Sequence, residues 1–119
     1  MSNFVPVTVN SGQDWIINHQ AYQSDGITAQ DLTGATIYLQ IGTPKGVVVI
    51  PYSAVTVQIL SPNTLGKSVL TIPKAQQYAY NAVPGTYEYT LRIKLNDGSV
   101  VDYNEGPWTV KRTMFPWGF

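Results

Sequence analysis

Residues 85–112 carry the pattern that most limits what this chain can become. Tyr87, Tyr89, Leu91, Ile93 and Leu95 fall at every second position, with Glu88, Thr90, Arg92 and Lys94 between them. A period of two puts the apolar side chains on one face of a pleated strand and the polar ones on the other. The expectation is a half-buried antiparallel strand. Asp97-Gly98 then supplies residues that tolerate positive φ, so residues 99–104 are expected to fold back as a hairpin. Gly106-Pro107 is expected to bend the chain into a separate last strand over residues 108–112.

The rest of the chain follows the same logic. Val5, Val7 and Val9 alternate with Pro6, Thr8 and Asn10, a short first strand that Pro6 assigns to a sheet edge. Residues 15–22 read as a second strand, with Trp15, Ile17, His19 and Ala21 on one side and Ile16 and Tyr22 on the other, so neither side is plainly wet. In residues 36–41, Ile37, Leu39 and Ile41 alternate with Thr36, Tyr38 and Gln40. Val47-Val48-Val49-Ile50 is apolar on both faces and stops at Pro51; such a run is either sandwiched between layers or docked on another chain. Residues 56–60 and 68–72 give two further strands. After Pro73 the alternation breaks into good helix formers, which predicts a short helical segment near residues 74–82. About eight to nine short strands with turn signals between them make an all-β antiparallel sandwich. Tyr87 stands where a sandwich often places a tyrosine whose hydroxyl ties down the preceding crossover.

With 119 residues the chain supports one core. Residues 1–112 are assigned to the sandwich and residues 113–119 to an apolar tail bearing Met114, Phe115, Trp117 and Phe119. Such a tail either covers its own sheet or anchors in a partner. Charged residues make up 12% of the chain, about half the usual share. That suits a subunit whose faces are covered by neighbours, since interface cores shed charge, or else a neutral but exposed β surface.

Composition also removes several classes of function. Seven basic and seven acidic residues give a formal net charge of zero, and the basic ones are scattered, so no nucleic-acid partner is expected. There is no cysteine, hence no disulfide and no thiolate metal site. Nothing approaches the roughly 20 apolar residues of a membrane span, and the N-terminus lacks a secretory pattern, so synthesis in the cytoplasm without a membrane partner is expected.

Catalytic chemistry is equally thin. His19 reads as a hydrogen-bonded structural group in the second strand. Asp14, Asp25 and Asp31 do not match a calcium loop, and Asp25 and Asp31 suit a turn and a pre-strand position. Asp102 and Glu105 are three apart, which in a regular strand puts them on opposite faces and denies them a shared role. No nucleophile elbow, phosphate loop or zinc-protease motif occurs. No catalytic, cofactor-binding or metal site is expected, and the chain reads as a non-enzyme. Its three tryptophans and eight tyrosines could stack on sugar rings, which keeps open a carbohydrate-binding module that contacts host-surface glycans.

Several segments occur in an order that points further. These are Gly12-Gln13-Asp14-Trp15, Asp31-Leu32-Thr33-Gly34-Ala35-Thr36-Ile37, Ser68-Val69-Leu70-Thr71-Ile72-Pro73, and Pro84-Gly85-Thr86-Tyr87-Glu88-Tyr89. Asn96-Asp97-Gly98 and Glu105-Gly106-Pro107-Trp108-Thr109-Val110 follow. Together they resemble the small immunoglobulin-like sandwich of tailed-bacteriophage structural proteins, including the N-terminal domain of baseplate upper proteins. The resemblance spans about residues 12–110; with no fibre, coiled coil or receptor-binding module within residues 1–119, a stand-alone virion subunit is expected rather than a fibre. It implies an immunoglobulin-like fold and a virion subunit at the tail and baseplate or on the head, docking on other virion proteins and on copies of itself. The residues expected to make those contacts are Phe4, Val5, Val47, Val48, Val49, Ile50, Met114, Phe115, Trp117 and Phe119.

Overall fold

The computed structural model describes residues 3–112. The chain runs through β1 (Asn3–Phe4), β2 (Val7–Asn10), β3 (Trp15–Gln20), β4 (Thr36–Gly42), β5 (Val48–Ile50), β6 (Thr56–Ile59) and β7 (Lys67–Ile72). The helix α1 (Lys74–Ala79) follows, then β8 (Gly85–Lys94) and β9 (Val100–Lys111). The strands form two sheets, a larger one in the order β1-β9-β8-β4-β5 with β2 also on β9, and a smaller one in the order β3-β7-β6. This is the all-β sandwich the alternation predicts. The helical segment also lies where Pro73 announces it.

The centre of the molecule is the β8–β9 hairpin. Tyr89, Leu91 and Ile93 of β8 face inward and are buried, while Glu88, Arg92 and Lys94 face out. Trp108 of β9 is fully buried between Trp15 of the smaller sheet, 5.8 Å between ring centroids, and Tyr89, 5.4 Å. Tilted and edge-on aromatic contacts of this kind add to the burial of large rings. The Tyr87 hydroxyl donates to the Val83 carbonyl at 2.6 Å, tying the crossover before β8 to the strand. The Gly12–Trp15 and Pro73 segments meet: the Asp14 carboxylate accepts from the Lys74 backbone N–H at 2.7 Å, and the buried Gln77 amide donates to the Gln13 carbonyl.

Four expectations need correction. Gly106-Pro107 does not start a new strand, because β9 is continuous from Val100 to Lys111. Proline fits mid-strand here since the neighbouring edge is itself interrupted: Phe4 pairs Glu105 and Val7 pairs Trp108, leaving Val5-Pro6 opposite Gly106-Pro107. A Cβ at Gly106 would lie 3.0 Å from the Val5 carbonyl oxygen, so the missing side chain lets the two backbones approach. The N-terminal strand is an edge, as Pro6 requires, but it runs parallel to β9, so the larger sheet is mixed. The second strand does have a wet face, with Trp15 and His19 buried and Ile16 58% exposed. Finally, Ile50 is fully buried in the core, so it holds β5 to the domain and offers nothing to a partner.

Candidate functional site

The outer face of the larger sheet is a shallow groove of about 1080 Å³. Strand register explains its shape. Reading across β4, β8 and β9, the outward side chains form rows: Tyr38–Arg92–Asp102, Gln40–Thr90–Glu105, and Gly42–Glu88–Pro107. Small residues at Thr90 and Gly42 lower the floor. Tyr38 and, beyond it, Tyr52 raise one wall, their rings edge to face at 5.0 Å and 88°. Exposed Phe4 of β1 and Val48 of β5 stand at the two sides.

The row Tyr38–Arg92–Asp102 depends on a β-bulge. Leu91 pairs Asn104 but Arg92 pairs Asp102, so Tyr103 is an extra residue in β9. The bulge shifts the strand's parity by one, and Asp102 and Glu105 consequently share the outer face. The expectation that they point apart is overturned for that reason. The sequence does carry a trace of the shift. The inward-facing apolar residues are Val101 and Tyr103, the bulged residue itself, and then Trp108 and Val110, odd positions giving way to even ones. Arg92 donates to Asp102 from Nε at 2.6 Å and from a terminal nitrogen at 3.4 Å. The guanidinium holds the Asp102 carboxyl below the ordinary carboxylate range, and the carboxylate in turn raises the Arg92 value.

The expected contact residues separate. Phe4 is 72% exposed, Val47 63% and Val48 48%; Val5 is just exposed, and Val49 is half-buried against the core. Phe4 and Val48 belong to opposite edges of one sheet. Met114, Phe115, Trp117 and Phe119 lie outside the described residues.

The acidic residues near the start are structural, as expected. Asp25 accepts from the Ile27 and Thr28 backbone N–H groups and the Thr28 hydroxyl, and Asp31 accepts from the Thr33 backbone and hydroxyl. His19 differs from expectation. It is buried opposite Ser68 with its ring edge-on to Tyr103 at 5.9 Å, and neither its Nδ1 nor the Ser68 hydroxyl has a hydrogen-bond partner among the described residues. Burial lowers the His19 pKa. Among the described residues no three His, Asp or Glu side chains converge as metal ligands would, and no helix is long and apolar enough to cross a membrane.

No protein-family model and no curated protein matches the sequence. Among solved structures, the chain is similar to the crystal structure of CopC from Methylosinus trichosporium OB3b. The TM-score is 0.50 at 14% identity, covering 98% of this chain and 89% of that one. It is also similar to part of a family 123 glycoside hydrolase from Clostridium perfringens, with a TM-score of 0.55 at 11% identity, covering 96% of this chain and 24% of the hydrolase. At these identities the likeness establishes a shared sandwich fold, with CopC fitting its immunoglobulin-like form.

Proposed function

We propose that this chain is a non-enzymatic structural subunit of a tailed-phage virion, at the tail and baseplate or decorating the head, that works by protein–protein docking. The observation that carries the reading is the state of the β5 edge. That three-residue strand ends the larger sheet and contains neither charge nor proline, and Val48 within it and Val47 just before it are exposed. Free-standing domains usually guard such edges, because an open edge pairs with other chains. The opposite edge carries exposed Phe4. Two different apolar edges on opposite sides of one sheet suit head-to-tail contacts, which close into rings or extend as arrays.

The order of motifs from Gly12 to Val110 and the low charge support the same reading. Under it, the partners are other virion proteins and copies of the chain itself, and residues 113–119 supply a further docking segment. Mass spectrometry of purified phage particles tests it. The chain should be present at a fixed ratio to the major capsid protein. Val48→Lys or removal of residues 113–119 should abolish incorporation without unfolding the domain. Particles that lack the wild-type chain, or that incorporate both variants normally, would refute the reading.

A further inference from the structure

We propose that the outer-face groove lined by the Tyr38–Tyr52 pair and the Arg92–Asp102 pair binds a neutral oligosaccharide. This goes beyond docking at the sheet edges and does not depend on it.

The floor of the groove decides what kind of occupant it can take. β8 runs along its middle and is paired from Glu88 to Lys94 with β4 on one side and β9 on the other. No backbone is left there for an added strand, so an occupant is read by side chains alone. A protein partner would want an apolar, charge-depleted centre. The centre here is instead an ion pair beside Thr90 and Gln40. The charges nearly balance, with Glu88, Asp102 and Glu105 against Arg92 and Lys94, so no strong field selects a polyanion or a polycation.

A neutral sugar fits these terms. One face of a pyranose ring is a patch of C–H groups that packs on an aromatic ring, and its hydroxyls both donate and accept. The edge-to-face tyrosines offer a ring face and an adjoining wall, and Tyr52 is 54% exposed. Arg92 holds Asp102 through two of its nitrogens, which leaves other guanidinium N–H groups for hydroxyl oxygens. Asp102 offers acceptor lone pairs, and the Gln40 amide supplies one acceptor and two donors. The volume of about 1080 Å³ admits several sugar rings.

The test is a ¹H–¹⁵N titration of the full chain with cellohexaose, maltohexaose, xylohexaose, mannohexaose and chitohexaose, with a heparin hexasaccharide as the charged comparison. At least one neutral oligosaccharide should give saturable shifts centred on Tyr38, Gln40, Thr90 and Arg92. Tyr52→Ala and Asp102→Asn, both on exposed side chains, should each weaken binding about tenfold while leaving the rest of the spectrum in place. Ile16→Ser, on the smaller sheet's outer face, should leave affinity unchanged. The proposal is overturned if no neutral member binds, if heparin is preferred, if both groove variants bind normally, or if the shifts map elsewhere. Concentration-dependent shifts of these same groove residues without sugar would overturn it in favour of a second copy of the chain.

Discussion

His19 is the chain's one histidine, and its position lets a single side chain set the pH response of the fold near neutrality. The ring is buried on the inner face of β3, against the edge of Tyr103, with Nδ1 unpartnered among the described residues. An imidazolium there would lose water without gaining an acceptor at that nitrogen, so burial lowers its pKa from the ordinary 6.5. Well above pH 6.5 the ring is neutral in both folded and unfolded chains, and the site adds nothing to the pH dependence. As pH falls below that value the unfolded chain takes up a proton that the folded chain resists. Stability therefore declines, with a slope of at most about 1.4 kcal/mol per pH unit. Between pH 6.5 and pH 5 the loss is at most about 2 kcal/mol, a sizeable share of the roughly 5–15 kcal/mol that holds a small domain folded. The hydrogen-bonded carboxylates do not confuse the measurement. Asp25, Asp31, Asp97 and Asp102 have values lowered from 3.8, so their contribution is intact above that pH and disappears only as pH falls through their folded-state values. Urea denaturation followed by tryptophan fluorescence, stepped from about pH 7.5 to about pH 5, reads the slope directly. His19→Phe keeps a ring against Tyr103 and should flatten the profile, as should His19→Gln. A wild-type profile that is already flat, or a slope that survives both substitutions, refutes the reasoning.

Two further outcomes rest on single contacts. Tyr87→Phe removes the 2.6 Å bond to the Val83 carbonyl while keeping the ring, and should lower unfolding free energy by about 1 kcal/mol; an unchanged urea midpoint would count against a tethering role. Gly66 has φ of 70°, and a Cβ there would stand 2.5 Å from the Ala21 carbonyl oxygen, so Gly66→Ala should cost more than about 1 kcal/mol. A melting temperature at or above wild type would show that the backbone there yields freely.

The fold was legible wherever one face of a strand is wet and the other dry. In β8 the alternation from Tyr87 to Ile93 is also the burial pattern, and Asp97-Gly98 makes the expected hairpin with β9. Legibility failed where a residue's role depends on a strand that is its neighbour in space and not in sequence. Ile50 looks like Val48 along the chain, yet one fills the core and the other meets solvent, because the β4–β5 pairing slips between Ile41 and Gly42, setting Ile50 beside inward-facing Ile41 and Val48 beside outward-facing Gly42. Pro107 looks like a strand breaker until β1 and β2 are set beside it with their gap at Val5-Pro6. Likewise, Tyr52 lies in no strand, and only folding brings its ring onto Tyr38.

The bulge at Tyr103 joins the inside of the domain to its outer groove. Tyr103 turns inward against buried His19, while its neighbour Asp102 turns outward onto Arg92. Had β9 stayed regular, either Val101 and Tyr103 or Trp108 and Val110 would have faced water, because the two pairs have opposite parity. Turning both pairs inward requires one extra residue in the strand, and Tyr103 is that residue. That same residue moves Asp102 and Glu105 to one face. The polar floor of the groove is thus a geometric consequence of packing the core, and both rest on the register of one strand.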